Sequence, residues 1–165
     1  MNDRRQRFEA QALPHLDAAY NFARWLSRSP ADADDIVQDA LLCAFRGFDG
    51  FRGGDARAWL LVIVRNCWLS AGRATRRRAY TDLEDTIADG GPDPEEAAIQ
   101  AGRRRQLGAM IARLPADFRE VLILREMEDM SYREIAEITG SPIGTVMSRL
   151  ARARTLLREY AKEGS

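Results

Sequence analysis

The sequence predicts an all-α protein of two small helical domains, residues 1–79 and 96–165, joined by an acidic flexible linker over residues 80–95. Apolar residues recur at helical spacing on both sides of the linker, and no stretch alternates as a strand would. The linker has paired glycines, two prolines and few apolar residues, which is typical of extended chain. A helix-turn-helix pattern near the C-terminus indicates the nature of the second domain.

The first domain contains three predicted helices. Leu13, Leu16, Tyr20 and Ala23 follow one face of an amphipathic helix that ends near residues 29–30. A second helix is expected over residues 32–48, where the acidic first turn suits the helix dipole. Its apolar stripe consists of Ile36, Val37, Ala40, Leu41, Ala44, Phe45 and Phe48. Glycine-rich residues 49–55 form a loop, and a third helix follows over residues 56–78.

The second domain is expected to hold four helices. Their predicted ranges are 96–113, 116–128, 131–139 and 142–161. Ser131 and Glu134 form a capping box that begins the third of these helices. Gly140 is placed to end it in the left-handed conformation. Ser141 and Pro142 then begin the last helix as N-cap and first helical residue.

The pattern of caps and apolar spacing in the last two helices predicts a DNA-binding helix-turn-helix at residues 131–154. Val146, Leu150, Ala153 and Leu157 recur at helical spacing and face inward. The arginines of the same helix therefore project elsewhere, and they are Arg149, Arg152, Arg154 and Arg158. In a helix-turn-helix the second helix enters the major groove. An ordinary helical hairpin with a solvated basic face is the alternative.

The charge pattern is consistent with a nucleic-acid partner, although the net charge is zero. Residues 1–78 hold 13 arginines and 9 acidic residues, and residues 103–165 hold 12 basic and 9 acidic residues. Residues 79–102 hold 7 acidic residues and none that is basic. Two mildly basic blocks therefore flank an acidic strip.

The sequence gives no sign of catalysis or of a metal site. Cys43 and Cys67 lie in apolar helical stretches and are expected to be buried thiols rather than a disulfide. His15 is the only histidine, so no Cys/His set has zinc-ligand spacing. No nucleophile–base pairing or phosphate-binding glycine loop is visible. We therefore expect a soluble cytoplasmic protein that is not an enzyme and has no catalytic residue, metal or cofactor.

Two further surfaces of the first domain remain ambiguous from local chemistry. The third helix and the loop before it carry Asn, aromatic and Arg side chains that can grip a strand and stack on bases, with Phe51 and Arg52 in the loop. A core role for Phe51 and a solvated arginine run are equally consistent. The second helix shows Asp35, Gln38, Asp39, Leu42 and Arg46 opposite its apolar stripe. This face suits either a protein-docking surface or simple solvation.

The chain resembles a sigma-70 family transcription initiation factor of the extracytoplasmic-function group. Five strings in the family's order carry the resemblance: residues 34–46, 51–60, 65–66, 114–125 and 144–149 within the helix-turn-helix. The acidic linker lies between the two blocks, and nearly the whole chain is covered. Each string is moderately specific, and the five together are highly specific.

The resemblance implies a role for each surface. The face of Asp35, Gln38, Asp39, Leu42 and Arg46 would dock on core RNA polymerase, at the clamp helices of its largest subunits, beta and beta-prime. The loop and third helix would capture a flipped non-template base of the −10 element and hold nearby DNA, through Phe51, Arg52, Arg65, Asn66, Arg73, Arg76 and Arg77. The last helix would read the −35 element in the major groove, through Thr145, Met147, Ser148, Arg149, Ala151, Arg152 and Arg154. The linker would thread toward the active-site and RNA-exit channel.

Two residues depart from the family pattern. Met147 stands where Lys or Arg is frequent, and Ala151 stands where a larger or aromatic residue is frequent. Methionine cannot make the bidentate hydrogen bonds that read guanine, although it packs on a thymine methyl group. We therefore expect Arg149 and Arg152 to contact phosphates more than bases.

The resemblance also leaves alternatives. A sigma-like decoy would bind an anti-sigma factor without directing transcription, and Met147 and Ala151 favour it, whereas Phe51, Asn66 and Arg149 argue against it. A plain helix-turn-helix repressor would lack the acidic docking helix. Control by an anti-sigma factor that wedges between or wraps the two domains is a family expectation.

Overall fold

The computed structural model describes residues 2–27, 29–75 and 94–164, and the regular elements within these ranges are helical. The α-helices are α1 (Asn2–Ala12), α2 (Leu16–Leu26), α3 (Pro30–Arg46), α4 (Ala56–Thr75), α5 (Pro94–Arg113), α6 (Ala116–Glu126), α7 (Tyr132–Thr139) and α8 (Ile143–Glu163). Single turns of 3-10 helix lie at Leu13–His15 and Phe48–Gly50. The all-α prediction is confirmed. None of the described helices has the length and apolar character that crossing a membrane requires.

Helices α2, α3 and α4 form the centre of the N-terminal group. Their apolar faces meet in a core that buries Phe22, Leu26, Ile36, Leu60 and Val64. Helix α3 begins two residues earlier than the sequence predicts. The physical reason is capping, because the hydroxyl of Ser29 accepts a hydrogen bond from the backbone amide of Asp32 at 3.1 Å.

The sequence pattern does not predict α1, which precedes the first expected helix. Ion pairs at i,i+4 spacing stabilise this helix: Arg5 with Glu9 at 3.0 Å and Arg7 with Asp3 at 3.5 Å. Phe8 is its main buried residue. Few apolar residues are involved, so the periodicity that identifies the other helices is weak here.

The expectation of two buried thiols is wrong for Cys43, which is exposed, while Cys67 is half-buried. The centre of the buried stripe on α3 follows Ala33, Ala40 and Ala44. Cys43 lies at one edge of that stripe and Phe45 at the other. An apolar sequence pattern this wide therefore overstates burial at its edges.

The C-terminal group contains the predicted helix-turn-helix, formed by α7 and α8. The capping box is present, because the hydroxyl of Ser131 accepts from the amide of Glu134 and the Glu134 carboxylate accepts from the amide of Ser131. Gly140 ends α7 with φ of 65°. The predicted N-cap is wrong. Pro142 occupies that position, and its carbonyl accepts from the amide of Val146 at 3.1 Å.

The predicted linker falls mostly outside the described residues, as do Arg76 and Arg77. Helix α5 begins at Pro94, so the last two residues of the predicted linker belong to a helix. Glu95 and Glu96 lie in its first turn, where acidic side chains suit the helix dipole.

The two groups pack directly on each other. Helix α6 lies against α2, and α7 lies against α4. Their buried apolar residues form one continuous cluster, from Phe22 and Leu61 in the first group to Val121 and Ile135 in the second. This shared core positions the start of the C-terminal group beside the loop that precedes α4.

Candidate functional site

The polar side of α3 forms one continuous exposed face. Asp35, Gln38, Asp39, Leu42 and Arg46 are all exposed, as the sequence predicts. At 3.6 residues per turn they fall within an arc of about 100° opposite the buried stripe. Leu42 is 55% exposed at the centre of this arc. An exposed leucine framed by carboxylates, an amide and a guanidinium has the composition of a protein-docking surface with a polar rim.

Helix α1 supports the end of this face. The guanidinium of Arg4 donates to the carboxylate of Asp49 at 3.1 Å and to the carbonyl of Phe45 at 2.7 Å. Phe8 packs edge-on against Phe45, with ring centroids 5.3 Å apart, and against Phe48 at 5.5 Å. Helix α1 therefore fixes the turn between α3 and the loop.

The loop before α4 presents a cavity of about 300 Å³. The ring of Phe51 lies 4.8 Å from the ring of Trp59, and both line the cavity together with Arg52 and Val62. This volume is at the lower end of the range of small-molecule sites. Gly53 and Gly54 have φ of 88° and 92°, which lets the chain turn around the cavity. Aromatic walls with a polar rim suit an unstacked base.

Asn66 lies on the same side of α4 as two residues of the cavity wall. Trp59, Val62 and Asn66 are spaced i, i+3 and i+7, and Asn66 is exposed. The structure brings together the predicted residues Phe51 and Arg52 at the cavity. Asn66 is not among the residues that line it. Trp59 and Val62 were not predicted as site residues, although the i, i+3, i+7 pattern with Asn66 was available in the sequence.

Asp55 fixes the geometry at the start of α4. Its carboxylate accepts from the amides of Arg57 at 3.0 Å and Ala58 at 3.2 Å. Burial alone would raise the pKa of Asp55, but hydrogen bonds from the Ala58 and Arg57 amides hold that pKa below its ordinary value.

Arg65 does not lie free beside Asn66. Its Nε donates to Oε2 of Glu120 in α6 at 2.7 Å, and its Nη2 donates to Oε1 at 3.2 Å. The Glu120 side chain is fully buried, and that of Arg65 is 17% exposed. Burial raises the pKa of Glu120, an effect that the hydrogen bonds from Arg65 oppose. The sequence analysis did not predict Glu120 as a partner of Arg65, because the residues around Glu120 contain no motif that indicates an ion pair.

Three further arginines of the first domain were predicted to bind DNA: Arg73, Arg76 and Arg77. No described contact places any of them beside the cavity. Arg73 lies in the last turns of α4, while Arg76 and Arg77 lie outside the described residues. Their assignment to DNA stays a prediction.

The outer side of α8 is open to solvent. Val146, Leu150 and Ala153 are buried against the group's core. The residues predicted to face DNA include five that are exposed: Met147, Ser148, Ala151, Arg152 and Arg154. Thr145 is half-buried at the edge of the same surface. The exposed surface has the position expected of a recognition helix.

Arg149 is braced by its own domain. Its Nη1 donates to the hydroxyl of Ser141 at 3.0 Å, and its Nη2 lies 4.0 Å from the carboxylate of Asp117. This contact explains why Ser141 does not cap α8. Arg154 is also paired, with Glu126 at 2.9 Å. Arg152 is exposed, with its guanidinium 5.5 Å from the ring centroid of Phe118.

Within the described parts of the chain, no group of three or more His, Cys, Asp or Glu side chains is arranged to hold a metal ion. The described residues instead form one polar–apolar face on α3, one aromatic cavity before α4 and one basic helix, α8.

Two protein-family models match the chain. Residues 13–78 match the model described as sigma-70 region 2, and residues 104–157 match that described as sigma-70, region 4. The first match contains α3, the loop cavity and α4, and the second contains the helix-turn-helix.

Curated relatives match across both regions. The sequence is 39% identical over 152 residues to the ECF RNA polymerase sigma factor EcfG of Rhodopseudomonas palustris, covering 88% of this chain and 78% of the relative. It is 32% identical over 154 residues to the ECF RNA polymerase sigma factor SigE of Mycolicibacterium smegmatis, covering 92% of this chain and 60% of that relative. The chain therefore spans less than two thirds of the length of the second protein.

Two solved structures share the fold over most of the chain. The sigma factor RpoE of Bartonella quintana, solved in complex with the anti-sigma factor NepR, superposes with a TM-score of 0.80 at 31% identity, covering 95% of this chain and 98% of that chain. CnrH in complex with the cytosolic domain of CnrY superposes with a TM-score of 0.69 at 26% identity, covering 98% and 91%.

Proposed function

This chain belongs to the extracytoplasmic-function group of the sigma-70 family, and from that premise we propose that it directs core RNA polymerase to specific promoters and has no chemistry of its own. One observation carries the proposal: the two family regions place three separate surfaces on one chain, namely the polar face of α3, the loop cavity and the exposed side of α8. Each has the composition that one step of initiation needs. Those steps are attachment to polymerase, capture of the opened strand, and reading of duplex DNA. Because these steps occur where polymerase works, we place the protein in the cytoplasm.

The α3 polar face would attach the protein to the clamp helices of the beta and beta-prime subunits. The apolar centre at Leu42 supplies buried area on docking, and Asp35 and Asp39 supply charge complementarity at the rim. These features support a protein partner, because an apolar side chain surrounded by carboxylates, an amide and a guanidinium has the composition of a docking surface.

The loop cavity would hold the flipped base of the −10 element. A base stacked on Phe51 or Trp59 gains about 1–3 kcal/mol, which offsets the cost of unstacking it from the duplex. Arg52 lines the cavity, and Asn66 follows Val62 on the same side of α4, so a guanidinium and an amide would contact the backbone and the base edge. Arg65, Arg73, Arg76 and Arg77 would hold neighbouring DNA.

The exposed side of α8 would lie in the major groove at the −35 element. Arg152 is the arginine most available to a phosphate, because Arg149 and Arg154 are engaged by Ser141 and Glu126. Met147 and Ala151 offer apolar contacts. We therefore propose that this helix anchors the protein more strongly than it discriminates between sequences.

An anti-sigma factor is the partner that would control this activity. The proposal is supported by the solved structure of the sigma factor RpoE of Bartonella quintana, which is a complex with the anti-sigma factor NepR. That relative shares the fold over 95% of this chain.

Run-off transcription with core polymerase tests the proposed function. Addition of this protein should yield specific transcripts from a subset of genomic fragments, and an Asp39→Arg variant should yield none. Binding to an anti-sigma partner without any specific transcript would contradict the proposal and favour the decoy.

A further inference from the structure

We propose that the outer face of α8 recognises the C5 methyl groups of thymine bases in the major groove. This deepens the proposed function and rests on it for the position of α8 in a DNA groove. The central observation is an exposed apolar stripe at the start of the helix, formed by Ile143, Met147 and Ala151.

The apolar stripe is continuous along one side of the helix. Its three residues are spaced i, i+4 and i+8, so they fall within an arc of about 80°. Ile143 is 42% exposed and Met147 is 52% exposed, whereas Val146 and Leu150 of the same helix are buried. The stripe extends over about 12 Å of the helix axis, which matches the width of the major groove, about 12 Å.

Two hydroxyl groups beside the apolar stripe already donate within the helix. Ser148 Oγ donates to the carbonyl of Thr145 at 3.0 Å, and Thr155 Oγ1 donates to the carbonyl of Ala151 at 3.0 Å. A hydroxyl group that donates to its own helix can still accept a hydrogen bond, but it offers no donor to a base. Guanine presents only acceptors in the major groove, so these hydroxyl groups are poorly matched to it.

The arginines near the apolar stripe are also poorly placed to recognise guanine. Arg149 donates to the hydroxyl of Ser141 at 3.0 Å, and Arg154 donates to Glu126 at 2.9 Å. Arg152 is exposed, but it lies about 100° around the helix from Ala151. An arginine at this edge of the helix suits a phosphate, which leaves the base edges to the stripe.

Thymine is the base that an apolar stripe can distinguish, because it alone carries a methyl group in the major groove. The adenine paired with it presents an amino group, from which the Ser148 hydroxyl can accept. The arginines of α8 favour DNA over an apolar protein segment as the occupant of the stripe, because Arg152, Arg154 and Arg158 are all exposed and match the charge of phosphates.

Deoxyuridine isolates the methyl group, because it pairs as thymidine does and lacks only that group. Sites are first selected from a random duplex library by the full-length protein at low ionic strength, where phosphate contacts are strongest. Each selected site is then synthesised with deoxyuridine at one thymine at a time, and affinity is measured by fluorescence anisotropy. At one or more neighbouring positions the thymine form should bind about fourfold more tightly, the gain expected from burying one methyl group.

Met147→Ala removes the centre of the apolar stripe. The thymine and deoxyuridine forms should then bind equally at one of these positions, with unchanged helical circular dichroism. Met127→Ala is the matched control, since Met127 is 41% exposed and precedes the helix-turn-helix, and it should keep the wild-type difference. Equal affinities for both forms at every thymine in the wild type, or the wild-type difference in Met147→Ala, would overturn methyl recognition by the stripe.

Run-off transcription separates methyl recognition from the proposed function. Specific transcripts whose yield does not change with deoxyuridine in the −35 element would overturn methyl recognition and leave the proposed function standing. Duplex binding that depends on the methyl group and on Met147, without any specific transcript, would support methyl recognition and refute the proposed function.

Discussion

Arg65 and Glu120 are 55 residues apart in the sequence, yet they form a two-pronged ion pair with distances of 2.7 and 3.2 Å. Two parallel charge-assisted hydrogen bonds give this pair a defined geometry. The carboxylate is nevertheless fully buried, and its pKa is raised because burial outweighs the effect of the guanidinium. The pair therefore specifies how the groups dock more than it stabilises the docked form.

A fall in pH from neutrality should strengthen the contribution of Glu120 to the free energy of unfolding. A carboxyl group whose pKa is higher in the folded chain than in the unfolded chain takes up protons on folding, so folding becomes more favourable as pH falls. The groups that face Glu120 are Arg65 of α4, Asp117 of its own helix and Arg149 of α8. Urea denaturation at several pH values measures this contribution.

Glu120→Gln is the control for this pH dependence. The lowered pKa of Asp55 acts in the opposite sense, because its contribution to stability is lost as pH falls. The difference between wild type and Glu120→Gln isolates the carboxyl at 120. The same pH profile of urea denaturation in both proteins would show that Glu120 does not take up the proton.

Replacing Asp39 by Arg should weaken binding to core polymerase at least about tenfold, or about 1.4 kcal/mol. The change reverses a charge within the α3 polar face, beside Leu42, without touching the buried stripe. Asp17→Arg, on the exposed side of α2, is the matched control and should bind normally. Affinity is measured by titrating labelled polymerase. Equal affinities for the two variants would exclude α3 as the docking helix.

Asn66→Ala should spare polymerase binding and impair strand opening about tenfold, since one exposed hydrogen-bonding side chain on the cavity side of α4 is lost. Ser70→Ala, one turn further along α4 and also exposed, is the control. The fluorescence of a 2-aminopurine base in the opened region reports the reaction. Opening at the wild-type level in Asn66→Ala would remove this residue from the −10 site.

Arg152→Ala should weaken duplex binding by a similar factor for every sequence tested and reduce the slope of log K against log salt by about 1. Both effects follow if Arg152 contacts a phosphate rather than a base. Arg105→Ala on α5 is the control for a general loss of positive charge. A change in sequence preference for Arg152→Ala would instead identify a base contact.

Gly140→Ala should destabilise the helix-turn-helix by about 1–2 kcal/mol, because φ of 65° places any Cβ atom in the strained left-handed region. Gly102→Ala, within α5 and with open space around it, should stabilise the chain by about 0.5–1 kcal/mol. Urea denaturation measures both. Equal midpoints for the two variants would contradict the assignment of Gly140 as a conformational requirement.

The elements that could be predicted from the sequence are those specified locally. The capping box of Ser131 and Glu134, the left-handed Gly140 and the exposed face around Leu42 all depend on residues within a few positions of one another. Periodicity and capping act over such distances. The same reasoning places Phe51 and Asn66 on neighbouring elements.

The features that escaped prediction depend on contacts distant in sequence. Arg4 reaches Asp49 and fixes α1 against the loop, but α1 has too little apolar periodicity to be recognised alone. Ser141 looks like an N-cap, yet its hydroxyl is taken by Arg149, eight residues later. Glu120 adjoins an apolar run, and nothing near it in the sequence predicts its ion pair with Arg65. In these cases the structure was determined by competition between hydrogen-bond partners and by ion pairs between residues distant in sequence.

The core that the two groups share also couples their stabilities. Phe22 and Leu61 lie in the same buried apolar cluster as Val121 and Ile135. Unfolding of either group therefore exposes apolar surface of the other, and that exposure costs about 25 cal/mol for each Å². The two sigma-70 regions then melt together, and a core substitution in one region lowers the melting temperature of both.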